Sequence, residues 1–404
     1  MLINNKNINL GNLFEGDKAI WMVLFFLSII SILEVYSASS TMSFEKGKYW
    51  DPVLMHSLYI AIGILVAWVV HRIPCRYFGL IVVVGPILSL LLLIMVYFYG
   101  KINDTHRFLN FFGFSIQPSE IAKGTIVVVV AWLLSVMRTE NGATSRAFKW
   151  ILGFTVVFCA LIVTENLSTA LMIFLVVLMM MFVGKVPWQQ LGALIGILAV
   201  SGALGFATLK YTSEETLDKI KDYPGMERVV TWAHRMRNHT EFPADPADFD
   251  LTTNPQIVQS HIAIATCNII GRGPGNSTVR DFLPQAYSDF IFAIIIEELG
   301  LAGAIFVVLL YITLLYRSAR IAGRCEKNFP AYLIMGLALL IVTQALVNMS
   351  VAVGLIPVTG QPLPLVSRGG SSMMVNSAYI GMMLAVSRTA RQQTEDKVPQ
   401  SPLL

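Results

Sequence analysis

Ten long apolar runs constrain the fold of this chain more than any other feature. A helix needs about 20 apolar residues to cross a bilayer, and each run is near that length. Only 13% of the 404 residues are charged, whereas soluble domains carry about 25%. We therefore predict an all-α polytopic membrane protein with about ten transmembrane helices. The runs lie at 19–38, 54–71, 77–99, 119–137, 148–164, 168–184, 190–209, 288–316, 329–353 and 370–388.

The distribution of lysine and arginine predicts the orientation of the chain. The loops after the second, fourth and eighth runs and the C-terminal tail are richer in these residues than the opposite short loops. Cytoplasmic loops carry this excess, so both termini are expected in the cytoplasm. We divide the chain into a cytoplasmic segment 1–18, a transmembrane domain 19–390 and a tail 391–404 that is predicted to be disordered. The net charge of +4 is small and spread out, so a nucleic-acid partner is not indicated.

The long loop 210–287, between the seventh and eighth runs, is predicted to be extracytoplasmic and to carry function, since long loops without a role are uncommon. Its segment 212–223 is typical of a short polar helix that Ser213 can cap. Residues 243–250 form a turn-rich break. Residues 255–271 are apolar but too short to span, which predicts an interfacial or re-entrant helix that the glycines at 271–275 stop.

The fourth run begins with polar residues. Ser119 is expected to cap its helix, and Glu120 and Lys123 lie three positions apart on one face. The pair has two interpretations. It is either a local ion pair in a capped helix, or Lys123 faces an anionic ligand from the outer side together with Arg107.

The turn between the fifth and sixth runs carries Glu165. Its simplest interpretation is structural, because Asn166 and Ser168 can form the turn and cap the sixth helix.

Acidic residues also begin the eighth run. Asp289 follows Ser288 and is either an N-cap or a base at a partly apolar mouth. Glu297 and Glu298 lie two turns deeper, where a charge is costly enough to indicate a function.

The segment 354–378 combines prolines, glycines, serines and Arg368 near membrane depth. Irregular backbone there survives only where it is buried in protein or lines a cavity, and free N–H groups before a helix suit anions. The alternative interpretation is a loop that caps the tenth helix.

Four segments together resemble the SEDS family, which includes FtsW, RodA and SpoVE. They are VYSAS at 35–39, QPSEIAK at 117–123, DFIFAIIIEELG at 289–300 and PVTGQPLPLVSRGGSS at 357–372. The resemblance implies polymerisation of lipid II into glycan strands at the outer face of the bacterial cytoplasmic membrane, with Asp289 as general base.

The resemblance also implies partners and a substrate site. The expected partners are lipid II, the undecaprenyl-pyrophosphate-linked glycan, a class B penicillin-binding protein and other divisome or elongasome membrane proteins, with a more FtsW-like than RodA-like role. A divalent cation, Mg²⁺ or Mn²⁺, fits the diphosphate chemistry, although the sequence identifies no ligands for it. The residues predicted to bind the substrate are Arg107, Gln117, Ser119, Glu120, Lys123, Glu165, Ser288, Glu298, Ser367, Arg368, Gly369, Gly370, Ser371 and Ser372.

The chain departs from the family pattern at several positions. Tyr287 and Ser288 stand where the family usually has His-Thr, and Phe108 replaces the usual Trp. Asn166 follows Glu165 where the family usually has Pro-Asp, and Arg368 replaces the usual Tyr of Ser-Tyr-Gly-Gly. The departures at 166–169 and 287 keep open the alternative of a non-catalytic scaffold for a partner synthase. A lipid II flippase or transporter is a second alternative, because ten helices with buried charges fit it as well.

Overall fold

The chain is a multi-pass helical membrane protein. Its computed structural model describes residues 14–46, 51–99, 101–102, 105–106, 108–111, 114–164, 166–221, 223, 227–240, 255–279, 282 and 288–396.

A helix lies over each of the ten apolar runs. The helix ends lie within a few residues of the predicted bounds, except that the helices at the first, eighth and tenth runs extend further at their C-terminal ends. These helices are α1 Lys18–Lys46, α2 Asp51–Arg72, α3 Ile81–Tyr99, α4 Pro118–Val136, α5 Ser145–Val163, α6 Leu167–Val183, α7 Trp188–Tyr211, α11 Ile291–Ala322, α12 Asn328–Ala352 and α13 Gly370–Asp396.

Eight of these helices in the described part of the chain are long and apolar enough to cross a membrane by length and composition. The other two are α6, which is apolar but has only 17 residues, and α13, which is less apolar on average because of its polar ends. The prediction of a polytopic all-α membrane protein is confirmed.

The centre of the bundle is formed by α4 and α12. Within their apolar windows, 78% and 72% of residues are buried, against 17% for α3 and 11% for α7. α12 packs against α4, α6 and α11, and α13 lies along α2. Polar side chains on α4 and α12 can therefore face protein rather than lipid, whereas α3 and α7 present apolar surface outward.

One end of the bundle, here called the terminal side, holds the residues just before α1 together with the later parts of α11 and α13. Asp17 forms an ion pair with Arg317 near the end of α11, and its backbone N–H donates to Ser387 Oγ at 2.9 Å. Arg388 Nη2 donates to the carbonyl of Arg72 at 3.1 Å. The opposite end, here called the loop side, holds the segments in which sequence analysis placed the function.

The described residues of the long loop include three helices. α8 spans Glu214–Lys221 and α10 spans Pro255–Ala265, and both were predicted. α8 is capped as expected, because Ser213 Oγ accepts from Thr216 N at 3.4 Å. α9, Glu227–Thr240, was not predicted. The predicted break at 243–250 lies outside the described residues.

The predicted end of α10 at the glycines of 271–275 is wrong. The helix ends at Ala265, where Thr266 Oγ1 donates to the carbonyl of Ile262 at 2.8 Å. Residues 266–279 continue without helical structure and run against α11. We call 266–279 segment R.

Segment R packs against a break in α11. Gly300 has φ 70° and ψ −173°, which interrupts the helix. Four backbone hydrogen bonds join segment R to the two sides of this break. Backbone groups near a helix break need partners in a membrane protein, and segment R supplies them. The bonds run from Arg272 N to Glu297 O, from Gly273 N to Glu298 O, from Leu301 N to Asn268 O and from Ala302 N to Ile269 O, at 2.9–3.2 Å.

The short strands in the described part of the chain form three two-stranded antiparallel hairpins. β1 Lys101–Ile102 pairs with β2 Thr105–His106, and β5 Arg138–Thr139 pairs with β6 Gly142–Ala143. β3 Leu109–Phe111 pairs with β4 Phe114–Ile116, in the register Leu109 to Ile116. The β3–β4 hairpin leads directly into α4, and β4 contacts α13.

Candidate active site

Asp289 lies on the loop side, just before α11. The N-cap of α11 is Phe290, without a side-chain cap bond, so the alternative interpretation of Asp289 as the N-cap is wrong. Ser288 Oγ donates instead to Asp289 Oδ1 at 2.8 Å. Both side chains are partly buried. Phe290 and Ile291, which follow Asp289, are buried, so Asp289 stands at the edge of the apolar interior.

The backbone of Asp289 is held by α12. Asn348 Nδ2 donates both to the carbonyl of Asp289 and to that of Gln361, each at 2.8 Å. Asn348 is buried, so these bonds are shielded from water. One amide thus fixes the candidate base relative to the loop 353–369.

The loop 353–369 makes a second connection at Ser288. Ser367 Oγ donates to the carbonyl of Ser288 at 2.6 Å and accepts from the backbone N–H of Leu363 at 2.8 Å. Leu363, Val366 and Ser367 are all buried. The irregular backbone at this depth therefore lies inside protein, as its composition predicted.

α4 contributes a buried charged pair. Lys123 Nζ donates to Glu120 Oε1 at 2.7 Å and to Gln344 Oε1 at 2.6 Å. Lys123 is fully buried and Glu120 nearly so. Gln344 Nε2 in turn donates to the carbonyl of Pro362 at 3.0 Å. This geometry favours the local ion-pair interpretation, because the bonds of the ammonium point to α4 and α12.

The start of α4 differs from its predicted cap. The helix begins at Pro118 with Gln117 as N-cap, so Ser119 lies inside the first turn and is not the cap. Proline at the first helical position explains the shift, since its fixed φ suits that position. Gln117 Nε2 donates to Ser119 Oγ at 3.2 Å, and Gln117 N donates to Ser371 Oγ at 3.2 Å. The starts of α4 and α13 are thereby joined.

The glycine–serine segment before α13 lies beside α2. Gly370 is the first residue of α13, and a side chain there would contact Tyr59 of α2. Ser372 Oγ donates to the carbonyl of Gly369 at 3.4 Å. Arg368, partly buried, interacts electrostatically with His56 of α2. The predicted substrate residues of this segment therefore lie together at the loop side.

Glu297 and Glu298 are fully buried and bind segment R. Glu297 accepts from Ser277 Oγ at 2.5 Å and from Thr278 N at 3.0 Å, and pairs with Arg272 at 3.2 Å. Glu298 accepts from Gly275 N at 3.0 Å and from Ser277 N at 3.2 Å. The two acids hold the loop against the membrane helix.

Asn166 has a structural role in the turn before α6, because it is the N-cap of this helix. Its Oδ1 accepts from the backbone N–H groups of Ser168 at 3.0 Å and Thr169 at 3.3 Å, which confirms the predicted cap. Thr169 Oγ1 also accepts from Gln361 Nε2 at 2.5 Å. The remaining predicted residues of this face, Arg107 and Glu165, lie outside the described residues, as does Tyr287.

Sequence analysis missed one basic residue near Asp289. Arg235 of α9 is partly buried and donates from Nη1 to the carbonyl of Val358 at 3.1 Å. Burial lowers the pKa of its guanidinium below the usual value, and the Asp289 carboxylate offsets part of this shift. An arginine stays protonated under such a shift. A signal existed in the sequence ERVVTWAHRMRNHT, where Val230 and Ala233 give an apolar face at helical spacing.

The described residues do not form a metal site of their own. No group of three or more His, Cys, Asp or Glu side chains comes together among them, whereas Mg²⁺ prefers a shell of oxygen ligands. Beside Asp289 the structure places the Ser288 hydroxyl and the Arg235 cation, which do not complete such a shell.

Comparisons with known proteins agree with the fold. The family model of FtsW, RodA and SpoVE, described as a cell cycle protein, matches residues 17–392. A probable peptidoglycan glycosyltransferase FtsW of Geobacter sp. (strain M18) is 30% identical, covering 93% of this chain and 98% of that protein. A relative with the same name from Halomonas elongata is 30% identical over 95% of this chain and 93% of its own length.

Solved structures share the same architecture. One, described as "Structural coordination of polymerization and crosslinking by a peptidoglycan synthase complex", has a TM-score of 0.70 and 24% identity, covering 93% of this chain and 99% of that one. The rod shape determining protein RodA of Thermus thermophilus has a TM-score of 0.63 and 23% identity, covering 93% and 98%. The chain belongs to the FtsW/RodA/SpoVE family, the SEDS family that its four sequence segments resemble.

Proposed function

We propose that this protein polymerises lipid II into peptidoglycan glycan strands, with Asp289 as the general base. Relatives at 30% identity over nearly the whole chain carry the name probable peptidoglycan glycosyltransferase FtsW. The observation that carries the residue assignment is the position of Asp289. It is a partly buried carboxylate at the mouth of the bundle, with its backbone bonded to α12.

The proposed reaction is a single displacement. The 4-hydroxyl oxygen of the acceptor sugar attacks the anomeric carbon of the lipid-linked donor, and its proton passes to Asp289. The bond between that carbon and the diphosphate oxygen breaks, undecaprenyl diphosphate leaves from the opposite face, and the configuration inverts. A positioned base of this kind contributes about 10²–10⁴-fold in rate. The Ser288 hydroxyl donates to Asp289 Oδ1 and so orients the carboxylate by holding one of its two oxygens.

The proposed reaction takes place at the outer membrane surface, beside a partner protein. The lysine and arginine distribution favours cytoplasmic termini, so the loop side faces outward and the chemistry occurs at the outer membrane surface. The proposed partner is a class B penicillin-binding protein that cross-links the strands. Support comes from the similar solved structure of a peptidoglycan synthase complex, which coordinates polymerisation and crosslinking. A role in division is favoured over elongation by the names of the relatives.

A polymerisation assay tests this function and its two rivals. The full chain is purified with a class B partner that lacks any glycosyltransferase activity and is given lipid II. Wild type is expected to form glycan strands, and Asp289→Asn to lose at least about 100-fold in rate. Glu215→Gln is the matched control, because it removes a carboxylate from exposed α8. No polymer from wild type would favour the scaffold, and lipid II movement across vesicles without polymer would favour the flippase.

A further inference from the structure

A basic face of α9 contacts the loop 353–369. Arg235 Nη1 donates to Val358 O at 3.1 Å, and His239 Nε2 lies 3.2 Å from Gly354 O. Residues four apart lie on the same face of a helix. The two side chains therefore fix α9 on the loop 353–369, and this contact joins the long loop 210–287 to the candidate site.

The same loop is bonded to the candidate base. Gln361, three residues after Val358, shares the Asn348 amide with the Asp289 carbonyl. The Asp289 carboxylate also acts electrostatically on the Arg235 guanidinium. Cation and base are thus tied to the same loop, Arg235 through Val358 and Asp289 through Asn348, although they come from separate parts of the chain.

Two other cations among the described residues, Lys123 and Arg272, are held by acidic partners. Lys123 is fully buried and bonded to Glu120 and Gln344. Arg272 pairs with Glu297. Arg235 differs from them, because within the described residues its hydrogen bonding consists of the single bond to Val358. A guanidinium has five N–H donors in a planar fork.

We propose that Arg235 binds the diphosphate of the lipid-linked sugar beside Asp289. This proposal rests on the proposed function and deepens it by naming a residue for the leaving group. When the bond between the anomeric carbon and the diphosphate breaks, negative charge develops on the departing oxygen. A guanidinium fork matches phosphate oxygens in a bidentate geometry and stabilises that charge. The hydroxyl proton passes to Asp289, so the two residues serve opposite ends of one displacement.

Binding of a short polyprenyl diphosphate tests the proposal without catalysis. The full chain, in complex with its partner in detergent, is titrated with geranylgeranyl diphosphate, with the monophosphate and with the alcohol. We expect wild type to prefer the diphosphate and Arg235→Gln to bind it about 10- to 100-fold more weakly, the range for a hydrogen bond to a charged group. Arg235→Lys keeps the charge but loses the fork, so an intermediate loss is expected.

Two neighbouring variants are the matched controls. Arg237→Gln removes the same charge from the same helix, but Arg237 bonds to the carbonyl of Thr212, so binding as in wild type is expected. His239→Gln weakens the contact of α9 with the loop and keeps the guanidinium. A loss in His239→Gln equal to that in Arg235→Gln would assign the effect to docking and overturn the proposal.

The outcomes separate this inference from the proposed function. If wild type and Arg235→Gln bind the diphosphate equally while wild type polymerises lipid II, the role of Arg235 is refuted and the function stands. If Arg235→Gln loses diphosphate binding but wild type forms no polymer, the anion site stands and the polymerase assignment fails. Unfolding temperatures of all variants, measured in the same detergent, identify any variant that is misfolded, and Arg235→Lys then decides the result.

Discussion

The break in α11 allows a quantitative prediction for Gly300→Ala. Gly300 has φ 70° and ψ −173°, a region that costs a residue with a side chain about 1–3 kcal/mol. An added Cβ would also overlap the backbone of Gly271 and Ile269. This overlap forces segment R away from α11 and disrupts the four backbone hydrogen bonds that join them, each contributing about 1 kcal/mol. The expected loss of stability is therefore about 5–7 kcal/mol, which is exceptional for a single substitution.

Thermal unfolding in detergent measures this loss, and limited proteolysis of segment R measures its local effect. Gly323→Ala is the matched control at the other end of α11. Gly323 has a negative φ of −67°, and the nearest atoms to an added Cβ are 3.7 Å away. We expect Gly323→Ala to unfold like wild type and Gly300→Ala to unfold much earlier, with faster cleavage in segment R. Equal unfolding temperatures for the two variants would refute the reasoning.

Three further predictions concern buried polar groups. Glu34→Met should raise the free energy of unfolding by about 1–3 kcal/mol, measured by thermal unfolding. Both carboxylate oxygens of Glu34 are buried without a donor among the described residues, and the acid lies near Glu298. A lower unfolding temperature would contradict this. Lys123→Met should cost about 3–5 kcal/mol by isolating Glu120, and the double variant with Glu120→Gln should recover most of it. Burial lowers the pKa of His261, so the folded state favours the neutral ring, and stability should fall as the pH drops from about 6.5 towards the folded pKa. Hydrogen exchange in α10 should show this trend in wild type and no such trend in His261→Gln.

The ten transmembrane helices could be predicted because the signal for each is local. An apolar run of sufficient length determines its own secondary structure in a membrane. α9 could not be found in this way, since its sequence is mostly polar and its few apolar residues pack against a small neighbouring cluster that includes Leu217. The end of α10 was predicted too late because the glycines at 271–275 suggested a stop. The helix ends at Ala265 instead, because residues 268–273 bond to the backbone on the two sides of the break at Gly300.

In the candidate site, too, the residues that could be predicted are those with a local sequence signal. Motifs identified Asp289, Ser367 and the glycine–serine segment, since these residues lie in recognisable stretches. The position of Arg235 depends on how a loop folds over the bundle, and its contact with Val358 joins distant parts of the chain. No local pattern encodes such a contact, so the structure was needed to find it.

Glu297 and Glu298 of α11 bind residues that are synthesised before them. Their partners are Ser277 and Thr278 in segment R, and Ser37 of α1 for Glu298. All of these residues precede α11 in the chain and leave the ribosome before it. An acid pair entering the bilayer is costly when unpartnered, but here each donor has already been synthesised when α11 emerges. Among the described residues, these hydrogen-bond donors are therefore synthesised before the two acids that they bind.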